Sequence, residues 1–302
     1  MNFPLRSLLQ IILILAGAFW CVSAVRANDD TRAPSIEDLD RAIAINPDSA
    51  DAYFDRGILL EKKGDLVRAI SDFSQTIKLS PQDAAAYYIR GNAYAKQDNF
   101  DQAVTDYNKV IELTPGDASV YYNRGLVFDA EGNTAQAISD FTQAIKIDPQ
   151  YAQSYHNRAL VWDKVKNWDQ AMADLDKTIE LAPGLAEAYY NRGILFDKKA
   201  KYIDAINDFS TAIRLDPQYA ESYVNRGGVY VEQGDFIQAR YDFTKAIEIN
   251  PGLAQAYNNR AIAFFQLKQY DKALDDLQKA ILSGYPVDPE FLATVKNHAG
   301  IK

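Results

Sequence analysis

Seven prolines set the ground plan of this chain. Pro47, Pro81, Pro115, Pro149, Pro183, Pro217 and Pro251 stand 34 residues apart without a slip. Proline cannot continue a helix interior, so each one closes a unit. The stretch from Ala186 to Tyr219 shows what a unit contains. Tyr189, Arg192, Gly193 and Phe196 fall at i, i+3, i+4 and i+7, one face of a helix, and Ala205, Phe209, Ala212 and Ile213 line a second apolar stripe. The run from Lys198 to Lys201 between them leaves room for a tight turn. A helical hairpin of this size cannot bury its own apolar faces, so it must stack on copies of itself. The expected fold is all-α, an α-solenoid superhelix of stacked helix-turn-helix repeats.

Counted from the third residue after each proline, seven units span 50–83, 84–117, 118–151, 152–185, 186–219, 220–253 and 254–287. Their fourth residue is always tyrosine, from Tyr53 to Tyr257, and their twentieth always alanine, from Ala69 to Ala273. The eighth is glycine or alanine, small enough for two helices to approach closely. This period and pattern resemble the tetratricopeptide repeat family, and the Tyr-x-Asn-Arg-Gly phrase resembles its bacterial, exported members. The resemblance covers residues 35–287 and implies a protein-binding scaffold rather than an enzyme.

The flanks differ from the array. Ser35 and Asp38 have capping-box spacing, and the stripe Ile36, Leu39, Ile43 makes residues 35–49 a half repeat that covers the first end. Gly284 can end the last helix, and Asp288-Pro289 can start another, so 288–302 reads as a capping helix at the other end. Residues 28–34 are a polar linker. Residues 1–27 read as a secretory signal peptide: Arg6 in a short positive region, an apolar run from Leu8 to Val22, then small residues allowing cleavage after Ala27 or Ala24. The expected location is outside the cytoplasm, in a bacterial periplasm. The alternative is an uncleaved inner-membrane anchor through residues 8–25, at the short end for a span. The chain's one cysteine, Cys21, lies in this segment, so no intrachain disulfide is available.

Charge narrows the partners. The formal net charge is −9, and loss of Arg6 and Arg26 with the leader would make it −11. That argues against nucleic acid, which needs a cationic footprint. Catalysis finds no support: the only histidines, His156 and His298, have no thiol beside them and no metal-ligand spacing, and there is no phosphate loop or serine elbow. No catalytic residue, cofactor, metal or small-molecule substrate is expected.

What remains is surface. Two charged positions never vary among the units. The seventh residue is Arg56, Arg90, Arg124, Arg158, Arg192, Arg226 and Arg260, and the twenty-third is Asp72, Asp106, Asp140, Asp174, Asp208, Asp242 and Asp276. They are expected to pair between the two helices of each unit. In the family, the first helices form the inner face of the superhelix. There the sixth position reads Asn123, Asn157, Asn191, Asn225 and Asn259, which resembles the asparagine ladder lining the repeats of O-GlcNAc transferases. Each carboxamide can donate to and accept from an extended peptide backbone. About five such bonds at ~1 kcal/mol each barely exceed the ~2–5 kcal/mol needed to order a peptide. Aromatic residues at the fifth position (Phe54, Tyr88, Tyr122, Tyr190) and acids at the twelfth (Asp129, Asp163, Asp197) would have to add affinity, favouring apolar and basic side chains. Two alternatives stand beside this: the rings can pack between units, and the asparagines can be inherited filler. Nothing fits a carboxylate clamp, which looks for lysine where Tyr88 stands. The expected function is a non-enzymatic adaptor binding an extended segment of a protein partner in the concave groove. The alternative is a protein that self-associates, as a homo-oligomer, through its convex face or end helices.

Overall fold

The computed structural model describes residues 33–301. The leader of residues 1–27, Cys21 with it, and most of the linker lie outside the described residues. Within them are sixteen α-helices and no strand, and no helix is long and apolar enough to cross a membrane. They form two compact units, residues 33–166 and residues 167–301. The first holds α1 (Ile36–Ile45), α2 (Ala50–Lys62), α3 (Leu66–Leu79), α4 (Ala84–Lys96), α5 (Phe100–Leu113), α6 (Ala118–Ala130), α7 (Thr134–Ile147) and α8 (Ala152–Lys164). The second holds α9 (Trp168–Leu181), α10 (Ala186–Lys198), α11 (Tyr202–Leu215), α12 (Ala220–Glu232), α13 (Phe236–Ile249), α14 (Ala254–Gln266), α15 (Tyr270–Leu282) and α16 (Pro289–His298). Within each, successive helices pack on one another along the chain, the serial contact of an all-α solenoid.

The prolines act through the residue before them. Asn46, Ser80, Thr114, Asp148, Ala182, Asp216 and Asn250 all leave the helical region, with φ between −125° and −137°. A proline ring bars the α conformation from its predecessor, so the second helix of each repeat must stop there. The turn inside each hairpin is set differently. Gly64, Gly132 and Gly234 have positive φ, and so do Asp98, Lys166, Ala200 and Lys268 at the same place in their repeats. The left-handed residue that ends the first helix is therefore a property of the architecture, and four repeats adopt it without glycine.

Packing inside a repeat turns on one exchange of volume. A Cβ built on Gly193 would lie 2.8 Å from Cε1 of Phe209, and one on Gly57 would lie 2.6 Å from Cε1 of Phe73. Wherever the eighth residue is glycine, the twenty-fourth is aromatic: Phe73, Tyr107, Phe141, Phe209 and Phe243. Where the eighth is Ala159 or Ala261, the twenty-fourth is Leu175 or Leu277. In the last repeat Ala261 and Leu277 share one buried cluster. We expect Gly193→Ala to destabilise, because overpacking costs ~1–3 kcal/mol and outweighs the roughly 0.5–1 kcal/mol that alanine gains in a helix. Phe209→Leu alone should destabilise by a cavity. Together they should return to within ~1 kcal/mol of the parent, since the last repeat already uses that pair. Urea unfolding of the three variants checks this, and additive losses would refute it.

The ends are closed by local signals. At α1, Ser35 accepts from the Asp38 backbone while Asp38 accepts from the Ser35 backbone at 2.9 Å. After α15, Gly284 has φ +79°, and the Tyr285 and Gly284 amides donate to Ala280 and Ile281 carbonyls, a Schellman closure. Asp288 then caps α16, with Pro289 in its first turn, and Phe291, Leu292 and Val295 pack on α14 and α15.

Candidate functional site

Two faces of each repeat carry polar side chains in register. On one, the seventh-position arginines form a row of staples. Arg192 donates from Nε and Nη2 to the two carboxylate oxygens of Asp208 at 2.7 and 2.8 Å. The same two-pronged contact, all at 2.6–2.9 Å, joins Arg56 to Asp72, Arg90 to Asp106, Arg124 to Asp140, Arg226 to Asp242 and Arg260 to Asp276. The third arm, Nη1, reaches back 16 residues to the second helix of the preceding repeat. Its acceptors include Asp40, Ser74, Asn108, Thr142, Asp176, Ser210 and Thr244. Each guanidinium also lies over the tyrosine one turn earlier, as Arg192 does over Tyr189 at 5.8 Å. One arginine thus ties its own hairpin together and ties it to the one before. Burial pushes the carboxyls of Asp208 and Asp242 up, against the lowering pull of Arg192 and Arg226.

The other face belongs to the first helices. In the unit of residues 33–166, α4 touches α6 and α6 touches α8; in that of residues 167–301, α10 touches α12 and α12 touches α14. Within neither unit do two second helices come as close, which puts the first helices on the inner side of each unit.

There the asparagine row is tied to the aromatic row. Nδ2 of Asn123 donates to the Tyr88 hydroxyl at 2.7 Å, that of Asn157 to Tyr122 at 2.9 Å, and that of Asn225 to Tyr190 at 3.0 Å. Each bond crosses from one repeat to the fifth position of the one before. The rings lean inward on the twenty-fourth residue of their own repeat: Phe54 on Phe73, Tyr88 on Tyr107, Tyr122 on Phe141 and Tyr190 on Phe209, with centroids 5.8–6.2 Å apart. Tyr190 is fully buried, while Phe54, Tyr88 and Tyr122 keep part of their surface. Burial pushes the Tyr122 hydroxyl up to about 12, against the lowering bond from Asn157, so it stays a neutral acceptor. Asn123 and Asn191 are buried, and Asn157, Asn225 and Asn259 are half-buried. Asn259 differs, because Val224 stands where its tyrosine would be, and its Oδ1 takes a 3.4 Å bond from Asn258.

The twelfth-position acids are also bridged between repeats. Lys164 reaches Asp129 at 2.5 Å, and Lys96 reaches Glu61 at 2.7 Å. Asp163 is buried and Asp197 half-buried. The lysines were not foreseen from the sequence, though the signal was there: both stand 35 residues after their acid, the same offset that joins tyrosine to asparagine. His156, at the fifth position of its repeat, is buried, and desolvation pushes its pKa down to about 4. Among the described residues no group of histidine, cysteine or acidic side chains could hold a metal.

Models described as TPR repeat or tetratricopeptide repeat match residues 23–91, 91–132, 118–151, 198–234 and 218–281, which together exceed half of the chain. No curated protein matches the sequence. Among solved structures, a tetratricopeptide repeat protein from Parabacteroides merdae is similar over 83% of this chain and 99% of its own, at 20% identity and a TM-score of 0.61. YrrB, described as a TPR protein with an unusual peptide-binding site, is similar over 62% of this chain and 97% of its own, at 22% identity and TM-score 0.53. MamA is similar over 55% of this chain and 91% of its own, at 26% identity and TM-score 0.51. The first two likenesses are of fold.

Proposed function

Because this chain belongs to the tetratricopeptide repeat family, we propose that it is a non-enzymatic adaptor that holds an extended segment of a partner protein against its first-helix faces. A protein-interaction scaffold is the coarse reading of such a repeat array, since stacking exposes a continuous face that no single repeat could offer. The observation that carries the finer reading is the tethering of the carboxamides. With Nδ2 of Asn157 and Asn225 held on tyrosine hydroxyls, the amide planes are fixed before a ligand arrives. Each still has Oδ1 to accept from a peptide N–H; Asn225 keeps a second amide hydrogen to donate, whereas that of Asn157 goes to the Gln153 carbonyl at 3.0 Å and fixes its plane further. Fixed polar groups lose little freedom on binding, so more of each bond is kept as affinity. The half-buried rings of Phe54, Tyr88 and Tyr122 offer apolar flanks beside this row. In the first unit Asn123 accompanies Asn157, with Asp129 and Asp163 at the twelfth position; in the second Asn191 and Asn259 accompany Asn225, with Asp197.

The test is affinity capture from a cell extract by residues 28–302, run beside Asn157→Asp/Asn225→Asp. Tyr122 and Tyr190 can donate to the new carboxylates, so the repeats should stay joined while the row loses its donors and gains charge. Capture of clients by the parent and their loss from a variant of equal helicity is the expected result. Identical sets from both proteins would overturn the groove reading. Capture of nothing but the protein itself would favour self-association, to which one observation already points. Ile203 and Ile237, at the same place in neighbouring repeats, are 73% and 59% exposed, and Tyr241 lies one turn on at 53%.

A further inference from the structure

This acidic chain has a cleft in which cations outnumber acids by two. It lies where α13 and α15 flank α14, with a volume of about 400 Å3, and is lined by Arg240, Arg260, Lys272, Lys279, Asp275 and Asp276 over the ring of Phe264. Eight repeat positions form this cleft, and the same eight recur at the other junctions. Those around α4, α6 and α12 carry net charges of +1, 0 and +1, that around α10 carries −2, and that around α14 carries +2.

The excess comes from side chains the fold does not use. Arg260 is committed to Asp276 and to Thr244, like every arginine of its row. Lys272 sits over Phe264 at 5.7 Å with only a 3.3 Å bond to Gln269, and Lys279 sits over Tyr257 at 5.7 Å. Arg240 is the anomaly. Its position is Ile70, Val104, Ile138, Met172, Ile206 and Leu274 in the other units, always apolar. It is half-buried, and among the described residues its guanidinium makes no hydrogen bond or ion pair. A half-buried arginine in a place built for isoleucine gives up hydration with no internal partner in return.

We propose that this cleft binds a phosphate-type dianion, inorganic phosphate or the phosphoryl group of a monoester. A guanidinium and two ammonium groups leave two positive charges once Asp275 is counted, which matches a dianion, and arginine meets such an oxyanion with paired N–H donors. This site is on the second-helix side and does not depend on the peptide reading above.

Titration calorimetry with inorganic phosphate and with phenyl phosphate, at constant ionic strength against chloride, tests it. Saturable binding is expected, weakened about tenfold or more by Arg240→Ile, and by Lys279→Gln. Isoleucine is native to this position in three other repeats, so the variant should keep the parent's melting temperature in chloride. Tighter binding of phenyl phosphate would assign a monoester with its ring against Phe264, and equal binding would assign the free anion. No binding beyond chloride, or equal binding by parent and Arg240→Ile, would overturn the proposal.

Discussion

Replacing Asp208 by alanine should cost ~3–5 kcal/mol of stability, the range for stripping one partner from a buried ion pair. The geometry supports the upper class of effect. Both oxygens of Asp208 accept from Arg192 at 2.7 and 2.8 Å, and the side chains are 8% and 21% exposed. Asp208→Ala leaves the guanidinium with Asp176 alone, at 2.8 Å. Arg192→Met leaves a buried carboxylate that burial already pushes toward protonation, so its cost should shrink as pH falls and Asp208 takes up a proton. The double variant Arg192→Met/Asp208→Ala removes both charges and should recover ~1–3 kcal/mol of the summed losses. Lys245→Ala serves as contrast: its pair with Glu248 is exposed and i,i+3, worth under ~1 kcal/mol. Denaturant unfolding at pH 7 decides it, and additive losses would mean the pair contributes nothing as a pair.

That arginine also marks where reading the sequence stops. Its pairing with aspartate could be expected from two positions that never vary. The reach of its third arm to the preceding repeat could not, because the acceptor is Asp40, Ser74, Asn108, Asp176 or Thr244, residues that share only an oxygen. The period itself was legible because it rests on steric facts local in sequence: proline ends a helix, and only a small residue lets two helices touch. Contacts between repeats join different positions, so aligning like with like hides them. The asparagine–tyrosine and acid–lysine bridges, both 35 residues apart, fall in this class. The exchange of Gly193 and Phe209 for Ala261 and Leu277 lies inside a repeat but also joins different positions, and it is plain in the letters once the contact is known. The turns were hidden for another reason. Lys166, Ala200 and Lys268 take a left-handed conformation that their residue types disfavour, imposed by the helices on either side.

The second large effect is a loss of stability in acid that belongs to one histidine. His156 occupies the place held by Tyr88, Tyr122 and Tyr190 in other repeats, and it is 9% exposed. Desolvation disfavours its imidazolium and pushes the pKa from 6.5 to about 4 in the folded chain. The folded state therefore prefers the neutral ring. Above pH 6.5 both folded and unfolded chains carry it neutral, and the full contribution is present. Between pH 6.5 and 4 only the unfolded chain gains the proton, so stability falls with pH, by about 3 kcal/mol at ~1.4 kcal/mol per unit of pKa. Below pH 4 the folded chain protonates too and the term levels off. His156→Tyr supplies the residue that other repeats use and has no charge to gain in this range. The gap between parent and variant, measured by urea unfolding from pH 7 to pH 4, should change by about 3 kcal/mol in the variant's favour. Curves that stay parallel would show that the imidazole is not held neutral by the fold.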